Sequence, residues 1–308
     1  MLPIKLKLPE GFLDEEVRDG YRVTRQTKEL WAVELDLLNE LVGFCERNGL
    51  EIFVHYGTLI GALRHGGFIP WDDDIDLVMK REDYERLCEI ADFDAPYFLQ
   101  TEDRDPGFSR GFARFRNSRT TCIQEYEADL KLPYNQGVFI DIFPLNYVPD
   151  DAEQRRAFGR RMRTLRDKAL QWSTFTYRPP EGGPGSGAKD RIKALTSKVF
   201  LTVLKPLKLK NPYLKQMEAL AAQCKPSGKL ADHWFYEPET DKYCLEAEDL
   251  ARAERRRFEF LEIPVPQGYD RMLQASYGDW RTPVMADNAH GGLITDCHVP
   301  YGEYRKKK

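Results

Sequence analysis

No two of the six cysteines are spaced as Cys-x-x-Cys: Cys45, Cys88, Cys122, Cys224, Cys244 and Cys297 lie scattered along the chain. This argues against a zinc knuckle and a disulfide framework, and reads as reduced, mostly buried thiols. Cys297-His298 offers two adjacent metal ligands, but no second pair accompanies them. Long apolar runs are also missing. No stretch approaches the ~20 residues of a membrane-spanning helix, and Met1 to Pro9 lacks the apolar core of a secretory signal. The cytoplasm is therefore the expected location. An excess of one charge sign is absent too: 46 basic residues face 50 acidic ones, for a formal net charge of -4. The global balance demands no polyanionic or polycationic partner, and no nucleic-acid reader motif is present.

What is present is an ordinary globular composition, 42% hydrophobic and 31% charged over 308 residues. Trp31, Leu35, Leu38, Val42 and Cys45 recur at steps of four and three, which predicts an amphipathic helix over 26–48, ended by Asn48-Gly49. Strands are expected at Ile52–Val54, at Asp74–Met79 and at Gly137–Phe143, with helices over 59–64 and 82–91. Residues 155–210 differ in kind. A stripe of Phe158, Met162, Leu165, Ala169 and Trp172 carries arginines on its other faces, and a Pro/Gly-rich loop follows at 178–188. Arg252 to Leu261 reads as a further helix. The expected organisation is a catalytic core over 20–150, a basic helical insertion over 151–230, and a return to the core over 231–300.

The chemistry concentrates in Phe68-Ile69-Pro70-Trp71-Asp72-Asp73-Asp74-Ile75-Asp76-Leu77-Val78-Met79. Two carboxylates about 4 Å apart repel by roughly 4 kcal/mol at an effective dielectric near 20. Ile75, Leu77, Val78 and Met79 mark a buried strand, so full solvation is unavailable and a cation is the other remedy. On a strand, positions two apart share a face, which predicts that Asp74 and Asp76 reach one ion. An EF-hand loop fails: Leu77 stands where its glycine belongs and Asp83 where its glutamate belongs. Upstream, Gly57-Thr58 at a strand-to-helix junction suits a phosphate. Downstream, Asp141 sits inside the apolar run Phe139-Ile140-Asp141-Ile142-Phe143, where a lone carboxylate needs a metal or a buried arginine.

These pieces, in this order, resemble the polymerase-beta-like nucleotidyltransferase superfamily, and within it the LicD family, which includes the fukutin-related proteins. Gly57-Thr58-Leu59-Ile60-Gly61-Ala62 with Arg64-His65, then Ile69-Pro70-Trp71-Asp72-Asp73-Asp74-Ile75-Asp76, carry the resemblance. Gly137 to Pro144 and Tyr277-Gly278-Asp279-Trp280 are similar to that family as well. The resemblance implies an α/β (α+β) fold, with a nucleotidyltransferase-type mixed sheet flanked by helices. It also implies transfer of a substituted phosphate from a CDP-activated alcohol, typically CDP-choline, to a sugar hydroxyl of a cell-surface glycan, with release of CMP.

Under this reading Asp74, Asp76 and Asp141 hold Mg²⁺ or Mn²⁺, and Asp141 is a ligand, a base or both. Gly57, Thr58, Gly61, Arg64, Arg114 and Arg116 are candidates for donor phosphate, and His65, Trp71, Asp72 and His290 for the donor or acceptor pocket. Trp71 offers choline a cation–π face. The basic stretch 155–210 is either a solvated helical hairpin or a peripheral contact with an anionic membrane. Two rival functions fit the same carboxylates. One is transfer of a nucleoside monophosphate with release of pyrophosphate, and the other is binding without catalysis.

Overall fold

The computed structural model describes residues 1–128, 132–177, 210–285 and 292–307, without the side chains of 173–177 and 305–307. Two short strands, β1 (Glu16–Arg18) and β2 (Tyr21–Val23), lead into α1 (Arg25–Arg47). Thr24 caps α1, its hydroxyl oxygen accepting from the Thr27 N–H at 3.2 Å. Gly49, with φ of +66°, turns the chain away at the other end. The apolar stripe expected from spacing is the buried face of α1, Trp31, Leu35, Leu38 and Cys45 included.

Next come β3 (Phe53–Val54), α2 (Tyr56–Arg64), β4 (Asp76–Lys80), α3 (Arg81–Ile90), β5 (Tyr97–Gln100), β6 (Ala113–Asn117), β7 (Thr121–Gln124) and β8 (Val138–Val148). Helices α4 (Ala152–Tyr177) and α5 (Pro212–Ala221) pack on each other through Phe158, Met162, Leu214 and Met217. The rest comprises β9 (Lys229–Ala231), β10 (Cys244–Glu246), β11 (Ala253–Phe258), β12 (Leu261–Pro266), α6 (Tyr269–Tyr277), β13 (Leu293–Asp296) and α7 (Tyr301–Lys307).

Seven strands form one mixed sheet with β8 at its centre. β8 runs parallel to β4 and antiparallel to β6 and β9; β3, β5 and β10 add to β4, β6 and β9. The fold is thus the mixed α/β sheet flanked by helices that the sequence implies. Its period of two separates two faces. Val54, Leu77, Met79, Ile140 and Ile142 join the α1 core on one side. Phe53, Val78, Phe143 and Leu145 form a second apolar cluster on the other. Asp76 and Asp141 are in step with Val78 and Phe143, so both carboxylates belong to the second face.

Two expectations need correction. Strand β4 begins at Asp76, so Asp74 precedes it and the two-residue alternation does not apply to that pair. Arg252 to Leu261 is not helical: β11 and β12 form a hairpin in which Phe258, Ile263 and Val265 are buried. The helix-favouring arginines and glutamates of that stretch yield to cross-strand pairing and core burial. The hairpin turn carries Glu259 at φ +55°, and the Glu259 side chain accepts from the Phe68 N–H at 3.1 Å and from Arg18 Nη2 at 2.8 Å. This clamps the chain just before the acidic segment. The Pro/Gly loop at 178–188 and the basic stretch that follows it, through residue 209, lie outside the described residues. No helix among the described residues is long and apolar enough to cross a membrane.

Candidate active site

The site is built around the first residue of β4. Asp76 lies directly opposite Asp141 in the parallel β4–β8 register. The Asp141 N–H donates to the Ile75 carbonyl at 2.9 Å, which locks the two strands at that level. On the other side of Asp141 stands Arg114 of β6, again directly opposite. Arg114 Nε donates to Asp141 Oδ1 at 2.8 Å and Nη2 to Oδ2 at 3.4 Å, with both residues buried. The buried partner that Asp141 needs is therefore supplied by the chain itself. A carboxylate has about four acceptor positions, so this pair leaves room for a further ligand.

Asp72, Asp73 and Asp74 lie half-buried, their ligating atoms all within 4.8 Å of one another. Trp31 Nε1 fixes this segment by donating to the Asp72 carbonyl at 3.1 Å, while the Trp31 ring stacks on Phe68 at 4.5 Å. Burial pushes the Asp74 carboxyl up to about 7, and repulsion from Asp73 and Asp141 adds to the effect. Asp76 is pushed well above the usual carboxylate range, first by burial and then by Asp74, Asp141 and Asp72. Glu34 of α1 faces the same cluster; it is raised by burial and by Asp74, and its Oε2 has no hydrogen-bond partner among the described residues. Six acidic groups thus share one region, where Arg114 is a cation acting on Asp74. The donor set is all oxygen and short of positive charge, which suits a hard divalent ion.

The rise at Asp74 gives a testable sign. Between pH 4 and 7 the unfolded chain loses this proton and the folded chain keeps it, so the folded state binds more protons and stability falls with rising pH. Measured without divalent ions, the Tm of Asp74→Asn is expected to gain on wild type from pH 4 to 7 and to level off above. A difference that is flat across that range would contradict the cause assigned here.

The N-terminal end of α2, from its cap His55 to Thr58, grips β4 from both sides. The His55 N–H donates to the Asp76 carbonyl at 2.9 Å, and the Asp76 N–H donates to Thr58 Oγ1 at 2.9 Å. Gly57 permits a close approach: a Cβ there would lie 2.5 Å from Asp72 Oδ2. The chain's own Asp72 carboxylate already lies against this helix N-terminus, so a phosphate arriving there would be repelled unless a cation offset the charge.

The other candidates fall elsewhere. Gly61 is buried in α2, where a Cβ would meet the Gly67 carbonyl oxygen at 2.5 Å; its role is close packing. Arg64 stands seven residues beyond Gly57, about 10 Å along the helix, and donates to the Trp280 carbonyl at 2.8 Å. His65 is held by Asp19 at 3.0 Å and by Arg64 Nε at 2.9 Å. Arg116 is fully interior, bonded to Gln100 and to the Gly137 carbonyl, and burial lowers it to about 10. Trp71 packs edge-on against Tyr21 at 6.2 Å. His290 lies outside the described residues. His298 bonds to Glu29 at 3.1 Å, while Cys297 is buried with its thiol pushed up by desolvation.

Three residues near the carboxylates are not among the candidate site residues named from the sequence: Asp73, Tyr56 and Asp232. Asp73 is inside the acidic run and was legible there. Asp232, 176 residues from Tyr56, has no motif to mark it. Beside them a hollow of about 30 Å³ is lined by Phe112, Phe143, Asp232, His233 and Trp234 among others. It admits one or two waters and no donor headgroup.

Comparison with known proteins follows the same residues. Residues 49–166 match the model of the LicD/FKTN/FKRP nucleotidyltransferase domain. The chain is 27% identical to the lipopolysaccharide cholinephosphotransferase LicD of Haemophilus influenzae over 259 residues, 82% of this chain and 90% of that protein. The chain carries a LicD-family domain. The LicD segment holds Gly57, Thr58, Asp72, Asp74, Asp76, Arg114 and Asp141, whereas Asp232 lies beyond it. The human ribitol 5-phosphate transferase FKRP is 46% identical over 43 residues, 14% of this chain and 9% of that protein. Mannosyltransferase regulator 14 of Saccharomyces cerevisiae is 28% identical over 142 residues, 44% of this chain and 14% of that protein. By their names, the Haemophilus and human relatives are transferases.

Proposed function

We propose that this LicD-type protein transfers a substituted phosphate from a CDP-activated alcohol to a sugar hydroxyl of a cell-surface glycan or its lipid-linked precursor, releasing CMP. Phosphocholine from CDP-choline is the first choice of donor group, because the Haemophilus relative that spans most of this chain bears the name cholinephosphotransferase. The observation that carries the reading is the opposition of Asp76 and Asp141 across β4 and β8, with Asp74 close enough for all three to repel one another.

Asp74, Asp76 and Asp141 are the residues that would hold Mg²⁺, with Mn²⁺ as a substitute. When bound, such an ion offsets the charge of the donor pyrophosphate and of the leaving CMP. The chain's part is placement. Thr58 and His55 fix the backbone of Asp76, and Arg114 fixes the carboxylate of Asp141. The first turn of α2 would present Gly57 and Thr58 to the phosphates, and a bound cation would offset their repulsion from Asp72. Asp141 would ligate the ion, accept the proton of the attacking hydroxyl, or both. The basic faces of α4 are available for a peripheral contact with anionic lipid carrying the acceptor.

Product analysis tests this reading. The protein with Mg²⁺, CDP-choline and a membrane glycolipid extract is expected to release CMP and label the glycolipid. CDP-ribitol and CDP-glycerol in parallel reactions identify the alcohol. Release of pyrophosphate from a nucleoside triphosphate, with every CDP-alcohol left intact, would move the protein to the nucleotidyltransferases. Ion uptake adds a simpler check: at about 100 times its Kd, Mg²⁺ is expected to raise Tm by about 4 °C. No rise in millimolar Mg²⁺ would favour the binding-protein reading.

A further inference from the structure

Tyr56, the first residue of α2, has no task in the proposed chemistry, and its state is unusual. Its φ is +47°, in the left-handed region that non-glycine residues rarely occupy, and it is buried. Such a conformation persists only where the surroundings enforce it. Here they do. The Tyr56 ring stacks on His55 at 4.2 Å and meets Phe235 at 4.9 Å and Phe143 at 5.8 Å. Its hydroxyl donates to Oδ2 of buried Asp232, across 176 positions of sequence. The other oxygen of Asp232 accepts from the N–H groups of Trp234 and Phe235, both at 2.8 Å. One carboxylate therefore ties the loop after β9 to the start of α2.

The neighbours of Tyr56 give the tie its consequence. His55 and Thr58 hold the backbone of Asp76 through its carbonyl and its N–H. Tyr56 sits between them, so its backbone angle sets where both bonds point. We infer that Tyr56 and Asp232 form a latch that positions Asp76: Asp232 anchors the Tyr56 hydroxyl, Tyr56 holds the turn in its left-handed form, and the turn holds Asp76. Both are positioning residues; neither is assigned contact with the donor. The inference rests on the proposed role of Asp76, but the bond network it invokes is measurable without that role.

Hydrogen exchange of the ligand-free protein reads the network directly. Tyr56→Phe keeps the ring and removes only the hydroxyl. It is expected to lower protection at least tenfold at Asp76 and in the first turn of α2, while α1 and α4 keep theirs. Unchanged protection at Asp76 would overturn the latch. Calorimetry with Mn²⁺ alone then separates position from charge. Asp232→Ala is expected to weaken Mn²⁺ binding about tenfold, whereas Asp232→Asn, whose amide still bonds to Tyr56, stays within about twofold of wild type. Equal loss in both variants would make Asp232 a ligand and overturn its positioning role. Should wild type take up no Mn²⁺, the proposed metal chemistry fails, while the exchange result still decides the latch.

Discussion

Asp76→Asn is expected to lower the rate of transfer by at least about 1000-fold, or about 4 kcal/mol of transition-state stabilisation. The size follows from placement. Asp76 is buried at the head of β4, opposite Asp141 and within repelling distance of Asp74. Its amide replacement keeps shape and packing, loses the charge that would hold the ion, and relieves repulsion among the remaining carboxylates. Stability is therefore expected to hold or rise while activity collapses. Steady-state rates of CMP release, with Tm measured alongside, check both halves. A variant that loses activity only because it unfolds would show the carboxylate to be structural.

The second large effect is expected at Arg114. Its ion pair with Asp141 is buried, and the guanidinium also lies over the Phe139 ring at 3.7 Å. Removing one member of such a pair leaves a buried charge unmatched and costs about 3–5 kcal/mol. Arg114→Met is expected to fall in that range by urea unfolding in the absence of divalent ions. Added Mg²⁺ is expected to recover part of the loss, since an ion at Asp141 replaces the missing charge. Replacing both partners, as Arg114→Met with Asp141→Leu, is expected to restore most of the stability and none of the activity. A single variant as stable as wild type would mean that the pair is solvated.

Both effects involve residues whose chemistry was readable in the sequence but whose geometry was only half so. The acidic run, the lone Asp141 and the Gly57-Thr58 turn are local patterns, and α1 announces itself by an apolar stripe that burial then uses. The start of β4 was missed because Asp74-Ile75-Asp76-Leu77 alternate as strand residues do; the Trp31 bond to the Asp72 carbonyl and the close approach of Asp72 to Gly57 instead go with a loop there. The β11–β12 hairpin was missed because charged helix formers fill it, and only Phe258, Ile263 and Val265 in register reveal the pairing. Arg114 was legible as one of a cationic group, but its choice of Asp141 is a matter of β6–β8 register. Asp232 was beyond reach, since nothing near it in sequence refers to Tyr56.

Gly61 and Arg64 show the converse. They belong to the family-like string around Gly57, yet α2 turns one into the helix packing and carries the other about 10 Å away. A motif is read as a line, but a helix distributes its residues around a cylinder. Residues that share a string with Gly57 thus need not share its site.

The central claim is that these carboxylates gather a divalent ion onto the phosphates of a CDP-alcohol. Calorimetric titration of CDP-choline into wild type and Asp76→Asn, each with and without Mg²⁺, tests it most directly. The account predicts binding by wild type that depends on Mg²⁺ and is lost in the variant. Equal binding in all four titrations, or none in any of them, would contradict it.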